Sequence, residues 1–106
     1  MLQPFFPIKP FTWVIKMQRL HIIVQGRVQG VGFRWYTKDK ADTHSINGWV
    51  KNLQNGDVEI EAEGNPNDIN EFIQLVRKGP WGSFVSNLQI TEQLPVGRND
   101  GFVITR

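Results

Sequence analysis

The sequence predicts an α+β sandwich, a mostly antiparallel sheet of four to five strands with two helices on one face. Three observations predict it. Apolar and polar residues alternate in several short runs, the mark of strands with one covered face. Two other runs repeat apolar residues at spacings of three and four, the mark of helices packed by one stripe. Glycine, proline and asparagine signals separate the runs where turns and helix ends need them.

The first strand is carried by Leu20, Ile22 and Val24, alternating with His21, Ile23 and Gln25 into Gly26 and resuming at Val28. Gly30 and Gly32 break it, and Phe33, Thr37, Ala41 and His44 then recur at helical spacing. A second strand over 46–53 meets Asn55-Gly56, the favoured two-residue hairpin turn, and 57–63 returns as the third strand. Asn65-Pro66 opens the second helix as N-cap and first helical residue, with Asp68 near its positive end. Ile69, Phe72, Ile73 and Val76 form its apolar stripe, and Gly79-Pro80 stops it. A fourth strand is expected over 83–92, with an alternation that slips near Ser86-Asn87 and suggests a bulge. Phe102 to Thr105 suits a short fifth. This βαββαβ order is that of a ferredoxin-like sandwich.

The length of 106 residues, 40% of them hydrophobic, supports one core and is short for two. Two segments are expected: a proline- and aromatic-rich extension over 1–16, and one domain over 17–106, with Met17 as an alternative start. Pro4, Pro7 and Pro10 forbid a regular helix in the extension and interrupt any secretory-signal core. No run approaches the roughly 18 apolar residues of a membrane span. Cysteine is absent, which removes disulfides, thiolate nucleophiles and thiolate metal sites and fits a reducing cytoplasm. The net charge is +2, but with Lys9 and Lys16 set aside the remainder has 10 basic against 10 acidic residues. No general basic patch for nucleic acid is encoded, so any phosphate affinity must come from a local constellation.

That constellation is Gly26-Arg27-Val28-Gln29-Gly30-Val31-Gly32-Phe33-Arg34, between the first strand and the first helix. A strand-to-helix turn leaves backbone N–H groups unpaired at the positive helix end, where an anion is their natural partner. Glycines let such a loop curl until consecutive N–H groups converge. Arg34 adds a planar fork of donors matched to two phosphate oxygens. The dinucleotide pattern fails because Trp35 stands at its third glycine, and no Gly-Lys-Ser/Thr follows for a triphosphate loop. Taken alone, the segment reads somewhat better as a tight turn beside a solvated arginine.

Two further stretches reverse that balance. The series through Arg34, then Gly48-Trp49-Val50-Lys51-Asn52, then Asn55-Gly56-Asp57-Val58-Glu59, resembles the acylphosphatase family. Gly79-Pro80 and the closing Phe102 to Arg106 are also similar, so the resemblance covers about 18–106. It implies a metal-independent, cofactor-free enzyme that hydrolyses acyl phosphates to carboxylate and inorganic phosphate without a covalent intermediate. Residue by residue, it implies that Arg34 binds the phosphate, that Asn52 orients the attacking water, and that Gln29, Gly30, Val31, Gly32 and Phe33 supply the backbone cradle. It further implies a small-molecule acyl phosphate as substrate, inorganic phosphate or sulfate as a product-like ligand, and a cytoplasmic monomer without nucleic-acid or membrane partners. An acyl phosphate carries a good leaving group, so positioning and charge stabilisation matter more than a strong nucleophile.

Other residues read as structural. His21 on a strand and His44 near a helix end have no partner motif. Glu59, Glu61 and Glu63 share one strand face and read as solvated carboxylates, not an ion site. Trp35, Trp49 and Trp81 read as core or rim aromatics, and Lys38, Asp39 and Lys40 as a solvated helix face. The alternative is a non-catalytic ferredoxin-like module that binds an anion or RNA. With Val58, Ile60 and Ala62 turned inward, however, its open face shows three glutamates and repels a phosphate backbone. A third reading, a domain serving a carbamoyl-transfer machine, would bring zinc-binding cysteines that this chain lacks.

Overall fold

The computed structural model describes residues 16–106, in which the period-two runs form β1 (Gln18–Arg27), β2 (Asn47–Asn52), β3 (Val58–Gly64), β4 (Phe84–Gln93) and β5 (Phe102–Ile104). The helical runs form α1 (Phe33–Thr43) and α2 (Pro66–Lys78). The expected extension lies outside the described residues, apart from Lys16. The strands join in the order β4-β1-β3-β2-β5, antiparallel throughout except for the parallel β2–β5 pair. This is the ferredoxin-like α+β arrangement that the order of patterns predicts.

Register places the apolar alternation of three strands on one face: Leu20 lies opposite Ala62, Ile22 and Val50 opposite Ile60, and Val24 opposite Val58. All seven are buried in one core with Phe33 and Ala41 of α1 and Ile69, Phe72 and Val76 of α2. Each large apolar side chain fully removed from water contributes about 1.5–3 kcal/mol before conformational entropy is charged against it. Thr37 is buried too, and its hydroxyl donates to the Phe33 carbonyl one turn earlier at 2.8 Å. α2 is closed at both ends. The Asn65 side chain accepts from the Asp68 N–H at 2.9 Å, and Gly79 leaves the helix at φ 69°.

The β2–β3 connection differs from the expected two-residue turn. The Gly56 N–H donates to the Leu53 carbonyl and the Leu53 N–H to the Asp57 carbonyl, so the loop is 54–56, with Gly56 alone at positive φ. A three-residue loop ending in a left-handed glycine matches strand twist as well, and Asn55 instead accepts from the Asp57 N–H through its side chain at 3.0 Å. The bulge expected in β4 is present: Gln25 pairs with Asn87 but Gly26 with Val85, leaving Ser86 between them. Gly48 must be glycine, because at φ 143° a Cβ would collide with the Glu61 carbonyl oxygen across the β2–β3 ladder.

The solvated-face reading of the glutamates does not hold: Glu59 is half-buried and paired with His21 at 2.7 Å and Lys51 at 3.8 Å. Glu61 and Glu63 are 7% and 1% exposed. Arg19 donates to Glu61 at 2.8 Å and to Glu63 at 3.1 Å, while Glu63 also accepts from the N–H groups of Val96 and Gly97 at 2.8 and 2.9 Å. The segment after β4 thus folds back over the sheet, a long-range contact invisible to strand alternation. Lys38 likewise departs from a solvated role, donating to the Phe102 carbonyl at 2.9 Å.

Burial works to raise the Glu63 carboxyl pKa, but the two backbone donors and Arg19 outweigh it and hold the group below its ordinary range. The stability gained is therefore complete above the unfolded pKa of about 4.3 and is lost as pH falls through the lower folded value. Urea midpoints measured from neutral to acid pH should fall more steeply for wild type than for Glu63→Gln. Parallel acid limbs for the two proteins would contradict this account.

Candidate active site

β1 ends at Arg27, and Val28 anchors the chain in the core before it turns toward α1. Gly30 and Gly32 then sit at φ 75° and 77°. A Cβ at either would meet nothing within 4 Å, so the left-handed backbone and not crowding requires glycine. Left-handed residues alternating with ordinary ones give the curled loop in which backbone N–H groups line a concavity.

Gly32 is also the N-cap of α1. It has no side chain to cap the helix, and the first turn of α1 contains no acid. The contrast with α2 is direct, since Asn65 and Asp68 occupy that end of the second helix. The first intrahelical bond of α1 runs from the Tyr36 N–H to the Gly32 carbonyl at 3.0 Å, so the N–H groups of 33–35 have no partner within the helix. Tyr36 fixes this end by donating its hydroxyl to the Leu75 carbonyl at 2.7 Å, and burial raises the phenol's pKa above its ordinary value.

Strand parity delivers Asn52 to the same place. Val50 faces the core, so Asn52 at the end of β2 also lies on the helix-covered side, level with Val58 of β3. Its Oδ1 is buried without a hydrogen-bond partner among the described residues. An acceptor left so costs about 1–3 kcal/mol, a cost that calls for an explanation. Asn52 and Arg34 line one cavity of about 100 Å³ together with Gly30 and Gly32. Among the described residues no carboxylate pairs with Arg34, whereas a hollow of about 380 Å³ elsewhere holds Arg19 and Arg98, each already paired with acids. Volume does not identify the site; the unpaired guanidinium and the orphan oxygen do.

Of the residues singled out by sequence, Gln29, Gly30, Gly32, Phe33, Arg34 and Asn52 all line the cavity. Val31 does not: its side chain packs against the core, although its backbone stays in the loop. Val28 and Trp35 line the cavity without having been singled out for it. Trp35 is 69% exposed at the rim, and its position beside Arg34 in the first turn was the available signal. Trp81 is 96% exposed and belongs to neither core nor rim. The Gln29 side chain donates its amide to the carbonyls of Leu53 and Asp57, both at 2.8 Å, so only its backbone is free for a cradle. The histidines are engaged elsewhere, His21 with Glu59 at 2.7 Å and His44 with Glu71 at 3.2 Å. Among the described residues no helix is long and apolar enough to cross a membrane.

Comparison with known proteins gives a consistent picture. The family model described as Acylphosphatase matches residues 20–104. The chain is similar to the acylphosphatase of Syntrophus aciditrophicus, 42% identical over 83% of this chain and 92% of that one. The crystal structure of the acylphosphatase from Bacillus subtilis superposes with a TM-score of 0.81 at 40% identity, covering 84% of this chain and 99% of that one. Full-length HypF in its phosphate- and nucleotide-bound form shares the fold at TM-score 0.76 and 30% identity, with 88% of this chain but 12% of HypF covered.

Proposed function

The chain belongs to the acylphosphatase family and hydrolyses the carboxyl–phosphate bond of acyl phosphates, and from that premise we propose that Arg34 grips the phosphate while Asn52 steers the attacking water. One observation carries the proposal: a guanidinium and a carboxamide oxygen, both without partners among the described residues, line the same small cavity at an uncapped helix start. The phosphoryl group fits where first-turn N–H groups and the helix dipole favour negative charge. The Arg34 fork spans two non-bridging oxygens and offsets the charge that they carry in the transition state. Water donates one hydrogen to the Asn52 Oδ1 and thereby turns a lone pair toward phosphorus.

The step balances without an enzyme base. The water oxygen bonds to phosphorus as the opposite bond to the acyl oxygen breaks, the carboxylate leaves with the electron pair, and the water's proton passes to a phosphoryl oxygen. The leaving group is a carboxylate of pKa about 4, so it needs no acid to depart. A neutral carboxamide suits this role because it stays untitrated through the cycle.

Inorganic phosphate or sulfate should occupy the same cradle as a product-like ligand. The groups that the step uses, Arg34, Asn52 and the loop N–H groups, are all supplied by this chain, and a monomer is the proposed working unit. The absence of cysteine fits a cytoplasmic setting. An RNA-reading sheet is not favoured, because on the face it would need Glu61 and Glu63 are engaged by Arg19 and Glu63 is covered by the segment at Val96 and Gly97.

Arg34→Lys should fold but lose about a hundredfold or more in kcat/KM toward acetyl phosphate, since an ammonium cannot reproduce the bidentate fork. Wild-type turnover by that variant would remove Arg34 from the site. Asn52→Ala should lose about two orders of magnitude in kcat while the inhibition constant of inorganic phosphate stays nearly unchanged. An equal loss of phosphate affinity would count against water steering. Turnover should also persist in excess chelator after exhaustive dialysis, and its abolition would show that a metal takes part.

A further inference from the structure

Asn52 presents a problem that its own contacts do not solve. Its Oδ1 has no partner among the described residues, so no hydrogen bond from them to that atom holds the carboxamide in its aim. The aim must come from the backbone that carries it, and that backbone is the last residue of β2 before a loop. Strand ends beside loops are where local fraying begins, and a misplacement of about 1 Å can cost on the order of a hundredfold in rate.

The Gln29 side chain lies where it can prevent this. Its Nε2 donates to the carbonyls of Leu53 and Asp57, each at 2.8 Å. These two residues close the β2–β3 loop on each other, through the Leu53 N–H and the Asp57 carbonyl at 2.8 Å. One amide therefore pins both flanks of that loop to the first residue of the cradle, three residues before Gly32. Leu53 directly follows Asn52, so the clamp fixes the peptide adjoining the water-steering residue relative to the phosphate-binding loop. Gln29 spans 24 and 28 residues of sequence in doing so, and it lines the cavity itself.

We infer that Gln29 is a positioning residue: its side-chain amide locks the Asn52-bearing strand end to the cradle, setting the relation between the bound phosphate and the attacking water. The inference rests on the roles proposed above for Arg34 and Asn52. It separates two parts of one residue, with the Gln29 backbone serving the cradle and its side chain serving Asn52. A clamp of this kind acts on water placement and leaves the anion's own contacts in place, so it should register in kcat and not in phosphate affinity.

The test is a double-mutant cycle on the full chain, with acetyl phosphate as substrate and inorganic phosphate as competitive inhibitor. Gln29→Met keeps the length and removes both donors. It should lower kcat by about tenfold or more with the phosphate inhibition constant within about twofold of wild type. In the Asn52→Ala background the same change should cost almost nothing, because the residue being positioned is gone. Gln29→Asn, which draws the amide back by one methylene, is the second variant should Met prevent folding, and the same pattern is expected of it. Equal losses in both backgrounds, or a phosphate constant that worsens in step with kcat, would overturn the clamp and leave Gln29 as general scaffolding. Undiminished turnover by Asn52→Ala alone would overturn the underlying reading instead, and is seen before Gln29 is altered.

Discussion

An α-helix that begins on a left-handed glycine has no side chain with which to close its own first turn, and the organisation of this molecule follows from leaving that end open. Three N–H groups at the start of α1 need a partner, and neither a side-chain cap nor a first-turn carboxylate provides one. An oxyanion satisfies them without any titratable group. Everything nearby is arranged to keep the end open and in place. Val28 anchors the loop on one side, Phe33 and Thr37 bury the helix on the other, and Tyr36 ties its start to the end of α2.

Electrostatics here is local. With the two lysines of the N-terminal segment set aside, basic and acidic residues balance, so the sequence encodes no general basic patch. In the proposed mechanism, selectivity for a phosphate comes instead from one guanidinium that no described carboxylate occupies, in a cavity of about 100 Å³. The other arginines in strong contacts are spent on structure, Arg19 against Glu61 and Glu63 and Arg98 against Asp100. On the face opposite the helices Arg19 neutralises Glu61 and Glu63, and Glu63 also holds the returning segment through the N–H groups of Val96 and Gly97.

Local signals were legible in the sequence, and long-range ones were not. The caps of α2, the bulge near Ser86 and the apolar stripes each depend on neighbours a few residues away, and each stands where the pattern put it. Asn55-Gly56 shows the limit: the dipeptide marks a turn, but ladder register chose a three-residue loop that uses only the glycine at positive φ. Glu63 shows it more sharply, since alternation places the carboxylate on the open face and cannot foresee that Val96 and Gly97 return to cover it. At the site, the resemblance named Arg34 and Asn52, and the structure brings them to one cavity. It could not show that the Gln29 side chain turns away to the hairpin, because that depends on where Leu53 and Asp57 lie in space.

The central claim is geometric: one oxyanion is held by loop amides and a guanidinium, with a carboxamide beside it. A crystal grown or soaked in sulfate tests it most directly. The account predicts a single sulfate in the cavity, within hydrogen-bond distance of the N–H groups between Gly30 and Arg34 and of both Arg34 Nη atoms, with the Asn52 carboxamide aimed at its open side. A cavity filled by the protein's own side chains under those conditions, or Arg34 and Asn52 pointing away from each other around the anion, would contradict it.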